Sequence, residues 1–327
     1  MSEGTPRPPL TAEERIVHPR PPTAEAEARP RRRVSNLALR LVTAGMLIPP
    51  LLWVIYQGGL YVLVTVIVVA LIAIHEFYLM LEEKGAAPLR SFGMAATAAL
   101  PVVMYFGDES LATVLMTAVL LSMMVLQLTK AKISEALASI SGTFFGVFYV
   151  GWLLAHCVVL REFAAQVEAR WPLAAEGMHP DVGGFYLLFT IASVIGGDVG
   201  AYFAGRAYGR RKLAPQISPG KTVEGALGAL VAGPLIGLAF KAGFDFWAPE
   251  LSRHLSYEGA AVFAVILPAV GIVGDLIESL LKRDAKVKDT GTLLPGTGGV
   301  LDRIDSNLIA IPVMYYLMLA YTFVTAA

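Results

Sequence analysis

Long apolar runs constrain this chain more than any other feature, and the clearest runs from Leu60 to Ala73 (LYVLVTVIVVALIA). Apolar residues make up 56% and charged residues 16% of the 327 residues, whereas soluble domains carry about 25% charged residues. One soluble core cannot bury so many apolar runs. The sequence therefore predicts a protein that lies largely in a lipid bilayer and excludes the soluble, disordered, fibrous and disulfide-rich classes.

Charge and cysteine content exclude further classes. The formal net charge is zero, so there is no overall attraction to nucleic acid, and we predict no nucleic-acid partner. The single cysteine, Cys157, excludes a disulfide framework and a cysteine-based zinc site.

Residues 1–33 differ from the rest of the chain. They contain seven of the 20 prolines and mixed acidic and basic residues, and they end in Arg31, Arg32 and Arg33. Such a segment cannot bury enough apolar surface to offset the entropy of ordering, so we predict a disordered cytoplasmic tail. Residues 34–327 are then one polytopic membrane domain that carries the catalytic residues, with the informative motifs in 196–307.

The predicted fold class is all-α, a multi-pass integral membrane protein with about nine transmembrane helices. The candidate spans are 35–56, 60–81, 91–107, 110–129, 139–160, 184–207, 223–244, 259–281 and 306–325. With nine spans, the loops rich in lysine and arginine all fall on one side. The positive-inside rule makes that side cytoplasmic, so the N-terminus is predicted inside and the C-terminus outside.

Two polar stretches interrupt the apolar pattern between residues 196 and 307. In the first, Asp198 lies within the sixth span, where a charge is costly and usually has a structural partner or a functional role. A basic turn follows it and leads through Ser218, Lys221 and Thr222 into the seventh span. Backbone N–H groups at a helix start, next to a lysine, can form a phosphate-binding site, although a plain positive-inside loop would look similar.

In the second stretch, acidic residues recur at helical spacing. Asp275, Glu278 and Lys282 stand at i, i+3 and i+7, and Asp302 and Asp305 at i, i+3, so each group shares one helix face. Clustered carboxylates suit a hard cation such as Mg²⁺, and neighbouring lysines and arginines suit polyphosphate. A surface network of ion pairs is the alternative.

The stretch from Ser279 to Asp305 (SLLKRDAKVKDTGTLLPGTGGVLDRID) resembles the signature of the phosphatidate cytidylyltransferase family, S-x-x-K-R-x4-K-D-x-G-x4-P-G-H-G-G-x-x-D-R-x-D. The matching positions are Ser279, Lys282, Arg283, Lys288, Asp289, Gly291, Pro295, Gly296, Gly298, Gly299, Asp302, Arg303 and Asp305. The segment SPGKTVEG, residues 218–225, is similar to the family's S-P-K-K-T-x-E-G. Two positions depart from the family pattern: Thr297 replaces its histidine and Gly220 the first of its paired lysines.

The resemblance implies transfer of cytidylate from CTP to phosphatidic acid, which gives CDP-diacylglycerol and pyrophosphate. It implies Mg²⁺ as cofactor, with a second monovalent or divalent cation left open. It also implies an integral protein of the cytoplasmic (inner) membrane whose active site faces the cytoplasm, and it leaves a homodimer open. A CTP-dependent lipid-alcohol kinase and, less favoured, a secondary transporter would use similar ingredients.

Site residues follow from the resemblance together with the charge pattern. The predicted catalytic residues are Asp275, Asp302, Lys288, Asp289 and Lys282. The predicted substrate-binding residues are Asp198, Ser218, Lys221, Thr222, Glu224, Arg283 and Arg303. The predicted metal ligands are Asp275, Asp302, Asp305 and Asp289, with Asp275 and Asp302 expected to share one Mg²⁺. The pair His75 and Glu76 in the second span is as consistent with a buried structural role as with a functional one.

Overall fold

The structure is a computed structural model that describes residues 36–106, 109–130, 133–291, 293 and 298–326. The predicted tail, residues 1–33, and Thr297 lie outside the described residues. The principal helices are α1 (Asn36–Gln57), α2 (Gly59–Glu83), α3 (Arg90–Tyr105), α4 (Glu109–Leu128), α5 (Ala136–Gly146), α6 (Leu153–Arg161), α7 (Phe163–Arg170), α8 (Val182–Tyr208), α9 (Val223–Trp247), α10 (Pro249–Ser252), α11 (Tyr257–Asp284) and α12 (Leu301–Ala326). A π-helical turn, Val147–Trp152, joins α5 to α6, and short 3₁₀ turns cover Ile133–Glu135 and Pro172–Ala175.

Seven helical segments in the described part of the chain are long and apolar enough to cross a membrane, which confirms a helical integral membrane protein. They are Gly59–Glu83, Ser110–Leu128, Ile133–Arg161, Val182–Tyr208, Val223–Trp247, Tyr257–Asp284 and Leu301–Thr325. The other two predicted spans coincide with α1 and α3. The described apolar part of α1 is Gly45–Gln57, and α3 has 16 residues, about 24 Å of helix against a hydrocarbon core of about 30 Å.

One element departs from the all-α prediction. Two short strands, β1 (Lys212–Ala214) and β2 (Ser218–Thr222), pair antiparallel where the sequence indicated a basic turn. The hairpin leads directly into α9, and Thr222 caps that helix by accepting a hydrogen bond from the N–H of Gly225 at 3.1 Å. The hairpin thereby fixes the position of Lys221 relative to the start of the helix.

Small residues bring α8 and α9 into close contact. A side chain at Gly200 would place its Cβ 2.5 Å from the carbonyl oxygen of Gly228, and one at Gly228 would lie 2.7 Å from the carbonyl oxygen of Gly200. Such mutual close approach is typical of glycine-lined helix crossings in membranes. The crossing holds Asp198, two residues before Gly200, beside the β-hairpin.

Three of the basic loops, those after α2, α8 and α11, lie at one end of the helix bundle. Lys84, after α2, contacts Asp284 at the end of α11, and Lys221 of the hairpin contacts Asp275 of α11. At the other end, Arg161 is buried and pairs with Asp181 at 2.8 Å, so these loops occupy the opposite face of the bundle. This grouping is what the positive-inside argument requires of the loops.

We predict that the end of the bundle carrying the hairpin faces the cytoplasm. In a Cys157→Ala background, Lys212→Cys should react with a membrane-impermeant maleimide only after right-side-out cells or vesicles are opened. Leu173→Cys, which is exposed near the other end, should react without opening. Labelling of both positions from the same side would contradict this topology.

Candidate active site

A cavity of about 770 Å³ lies where α8, the hairpin, α9, α11 and α12 meet. Among the predicted site residues, it is lined by Asp198, Lys221, Thr222, Asp275, Asp302, Arg303 and Asp305. Two stretches of sequence, 198–226 and 272–306, thus form one cavity. Its charged residues of both signs make it suited to an anionic ligand together with a cation.

Three carboxylates form the acidic centre of this region. One oxygen from each of Asp275, Glu278 and Asp305 lies within 4.8 Å of the other two. Glu278 is completely buried, and its Oε2 forms an ion pair with Lys282. Ionised carboxylates this close together repel one another and are stabilised by cations nearby.

Two lysines supply part of the compensating charge. The Nζ of Lys282 lies 2.6 Å from Oε2 of Glu278 and 2.7 Å from Oδ1 of Asp302, and the Nζ of Lys221 lies 2.5 Å from Oδ2 of Asp275. Four carboxylates, with Asp302 included, therefore face two ammonium groups. Arg206 and Arg303 also line the cavity, so its carboxylates lie among cationic side chains of the kind that bind polyphosphate.

The contacts of Asp302 do not test the prediction that it shares an ion with Asp275, but they show its other partners. Its Oδ1 accepts from Lys282, and its Oδ2 accepts from the backbone N–H of Thr290 at 2.9 Å and of Gly299 at 2.8 Å. Its carboxylate therefore holds together the segment before α12. The geometry pairs Asp275 with Asp305 and with Glu278, a residue absent from the predicted ligand set.

Glu76 of α2 supports the same segment from a distant part of the chain. It is buried at 4% exposure, and its two oxygens accept from the N–H groups of Val300 and Leu301, both at 2.9 Å. The interaction places a carboxylate at the N-terminus of α12, where the helix dipole stabilises negative charge. His75, the other member of the pair, points elsewhere and lies 2.9 Å from a guanidinium nitrogen of Arg90.

Glu76 also gives a physical reason for two glycines of the signature. A Cβ at Gly291 would lie 2.6 Å from its Oε1, and a Cβ at Gly299 would lie 2.6 Å from its Oε2. Real Cβ atoms do not approach oxygen so closely, so any other residue at either position would displace the Glu76 carboxylate from the N–H groups that it binds. Part of the signature therefore serves the fold of this segment.

Several predicted substrate-binding residues take structural positions. Glu224 accepts hydrogen bonds from the backbone N–H groups of Arg210 and Arg211, at 3.0 and 3.2 Å, and so closes the hairpin. Ser218 lies in β2 opposite Ala214. The Nε of Arg283 donates to the carbonyl oxygen of Ile217 at 3.3 Å, so this arginine tethers the hairpin to α11.

Lys288 and Asp289 are both exposed and do not line the cavity. They precede the segment that includes Thr297, which the structure does not describe. Their proposed roles in phosphate and metal binding remain predictions. Asp198, by contrast, lines the cavity together with Tyr202 and Arg206. The guanidinium group of Arg206 donates a hydrogen bond of 2.9 Å to the hydroxyl of Tyr202.

Comparison with known proteins identifies the family. The sequence model described as "Cytidylyltransferase family" matches residues 38–321, nearly the whole membrane domain. The chain belongs to this family. The match confirms the resemblance that the signature between Ser279 and Asp305 indicated, and it extends that resemblance across all the principal helices.

Curated relatives in the cytidylyltransferase family agree with this assignment. The chain is 32% identical to a phosphatidate cytidylyltransferase of Synechocystis over 281 residues, 79% of this chain and 88% of the relative. It is 32% identical to that of Brucella suis over 285 residues, 86% of this chain and 93% of the relative. A shorter match to that of Haemophilus influenzae is 43% identical over 137 residues, 42% of this chain and 46% of the relative.

Proposed function

We propose that this protein transfers the cytidylyl group of CTP to phosphatidate, giving CDP-diacylglycerol and pyrophosphate. One observation supports the proposal most strongly. The hairpin, Asp275, Asp305 and Arg303 all line the same cavity, which lies at the end of an apolar helix bundle. One substrate is a water-soluble triphosphate and the other is a lipid. A charged cavity at the end of membrane-spanning helices is accessible to both.

The nucleophile in this reaction needs little activation. A phosphomonoester has a second pKa near 6, so the phosphate of phosphatidate is largely dianionic at pH 7. One of its oxygens attacks the α-phosphorus of CTP, and the bond from that phosphorus to the bridging oxygen of pyrophosphate breaks. The enzyme must then align two polyanions and neutralise the charge that develops on the leaving group.

Lys221 and Arg303 are the cavity residues best suited to bind phosphate. Lys221 is held at the start of α9 by the hairpin, where Thr222 caps the helix, so its ammonium group and nearby N–H groups face the same space. Arg303 lines the cavity from α12, beside the acidic centre. We assign the nucleotide phosphates to the side of Lys221 and the lipid phosphate to the side of Arg303.

The acidic centre fits a divalent cation. Asp275, Glu278 and Asp305 offer oxygen ligands within 4.8 Å of one another, and Glu278 is completely buried. Mg²⁺ is usually held by one or two carboxylates together with water and substrate phosphate, which this set can supply. When bound, such an ion supplies neutralisation of charge on the transferring and leaving phosphates.

Localisation follows from the same proposal. The protein would lie in the cytoplasmic membrane with the cavity facing the cytoplasm, where CTP is found. Of the nine proposed spans, seven contain helices long and apolar enough to cross a membrane within the described residues, and the other two coincide with α1 and α3. The homodimer remains a prediction.

A product assay tests the proposal against the lipid-kinase alternative. The purified full-length protein in mixed micelles should move label from [cytidine-³H]CTP, and none from [γ-³²P]CTP, into the lipid fraction, and it should release one pyrophosphate per lipid product. Diacylglycerol in place of phosphatidate is the matched control and should accept nothing. Transfer of γ-phosphate to lipid would support the kinase and contradict the proposal.

A further inference from the structure

A second cavity, of about 280 Å³, lies among α1, α2, α6, α8 and α12, on the side of α12 away from the acidic centre. Its walls are apolar side chains and Cys157, interrupted by Arg303, Asn307 and Thr65. We call it the apolar groove. Two of its wall residues, Leu51 and Ile195, are themselves exposed, so the groove is open sideways toward the lipid.

Arg303 connects the groove to the candidate active site, because it lines both cavities. The neighbouring acids Asp302 and Asp305 lie only in the charged cavity, whereas Ile304 and Asn307 lie only in the groove. The first turns of α12 therefore separate the two spaces, and Arg303 lies at their junction.

Polarity along the groove follows the order of groups in a phospholipid. Arg303 suits a phosphate, and Asn307 lies one turn further along α12, followed by Leu308 and Ile311. The side-chain carbonyl oxygen of Asn307 is buried and has no hydrogen-bond partner among the described residues. A carboxamide can turn to present its N–H groups, which suits the ester carbonyl of an acyl glycerol.

The groove is also deep enough for a lipid tail. Ile311 is ten residues beyond the start of α12, about 15 Å along the helix. Glu76 of α2 contacts the start of α12 and so lies at the same depth as it. Val62, which lines the groove from α2, lies fourteen residues before Glu76, about 21 Å along the helix. One leaflet contributes about 15 Å of hydrocarbon, so the groove reaches as deep as an acyl chain does.

We propose that the apolar groove holds one acyl chain of phosphatidate while Arg303 binds its phosphate at the edge of the charged cavity. This proposal rests on the proposed function and adds to it the subsite that determines specificity for acyl-chain length. Substitutions at the wall positions Thr65 and Val69 should then change the preference among phosphatidates and leave the binding of CTP unchanged.

Two filled-groove variants and two matched controls test the proposal. Thr65→Trp and Val69→Trp add bulk inside the groove, whereas Val64→Trp and Val68→Trp add the same bulk on the exposed face of the same helix, where the exposed fractions are 57% and 50%. With dioleoyl phosphatidate, the groove variants should raise KM about tenfold or more. With dioctanoyl phosphatidate and with CTP, KM should change by less than about twofold, and the controls should resemble the unmodified protein.

Equal effects on the long and short lipids, or the same selectivity in the control variants, would overturn the groove. If a tryptophan variant does not fold, as judged by its elution in size-exclusion chromatography, Val69→Phe repeats the comparison with a smaller side chain. Photo-cross-linking in the absence of CTP tests lipid binding in the groove independently of the reaction. A phosphatidate with a diazirine at the end of one chain should label residues that line the groove on α1, α2, α6, α8 or α12. Labelling of other residues would contradict the proposed acyl-chain site even if the enzyme is active. Labelling of the groove in a protein that transfers no cytidylyl group would contradict the proposed reaction instead.

Discussion

Asp275→Asn should lower cytidylyl transfer by about a thousandfold or more, equivalent to about 4 kcal/mol of transition-state stabilisation. Asp305→Asn should do the same. Both carboxylates belong to the trio whose oxygens lie within 4.8 Å, and asparagine keeps the shape of the side chain while it removes the charge. The loss should be accompanied by a large rise in the Mg²⁺ concentration that gives half-maximal activity, because each change removes a ligand of the same proposed ion.

The double variant distinguishes a shared ion from two independent roles. If Asp275 and Asp305 act through one ion, removing both should be hardly worse than removing either one. Asp284→Asn is the matched control, since this residue lies at the end of the same helix and contacts Lys84 outside the cavity. Multiplicative losses in the double variant would contradict the shared site.

Asp302→Asn provides a contrast within the same experiment. Asp302 accepts from Lys282 and from the N–H groups of Thr290 and Gly299, so its loss should disturb the segment before α12. We expect reduced turnover with little change in the Mg²⁺ dependence. A rise in half-saturating Mg²⁺ as large as that of Asp305→Asn would instead restore Asp302 as the partner of Asp275.

Local periodicity predicted the parts of the fold and the site that lie within single helices. Every candidate span coincides with a helix, and the i, i+3 spacing correctly places Asp275 and Glu278 on one face. Apolar runs and helical spacing carry this information because both depend on residues only a few positions apart.

The same periodicity could not assign roles within a face. Asp302 and Asp305 share the spacing of the other pair, yet one holds the segment before α12 and the other joins the acidic trio. Their difference depends on which groups of other elements lie opposite, and the spacing does not contain that information. The β-hairpin was missed for a related reason, because strands of three and five residues are too short to give a periodic signal.

Glu76 is the clearest case of a contact that local patterns cannot reveal. It bonds to backbone N–H groups 224 and 225 residues further along the chain. The available signal was indirect: an acidic residue within an apolar span is costly and needs a partner. The partner is the start of a helix and carries no sequence mark beyond the glycines that make room for it.

Glu76→Ala should therefore reduce kcat by about a hundredfold, although this residue does not line the charged cavity. The change leaves the N–H groups of Val300 and Leu301 without their acceptor, each at a cost of about 1–3 kcal/mol, and frees the segment that Gly291 and Gly299 pack around Glu76. The kcat of Glu76→Gln should lie between those of Glu76→Ala and the unmodified protein, because an amide keeps one acceptor oxygen but places a donor against a backbone N–H.

A positioning role for Glu76 predicts a specific combination of results. Turnover should fall while half-saturating Mg²⁺ stays near its normal value, and limited proteolysis between α11 and α12 should become faster. Glu82→Ala, on the same helix but in a half-buried pair with Arg90 outside the charged cavity, should change neither. If Glu76→Ala raised the Mg²⁺ requirement as Asp275→Asn is expected to do, this carboxylate would belong to the metal site. If it left turnover unchanged, the start of α12 would be fixed by Asp302 and its partners alone.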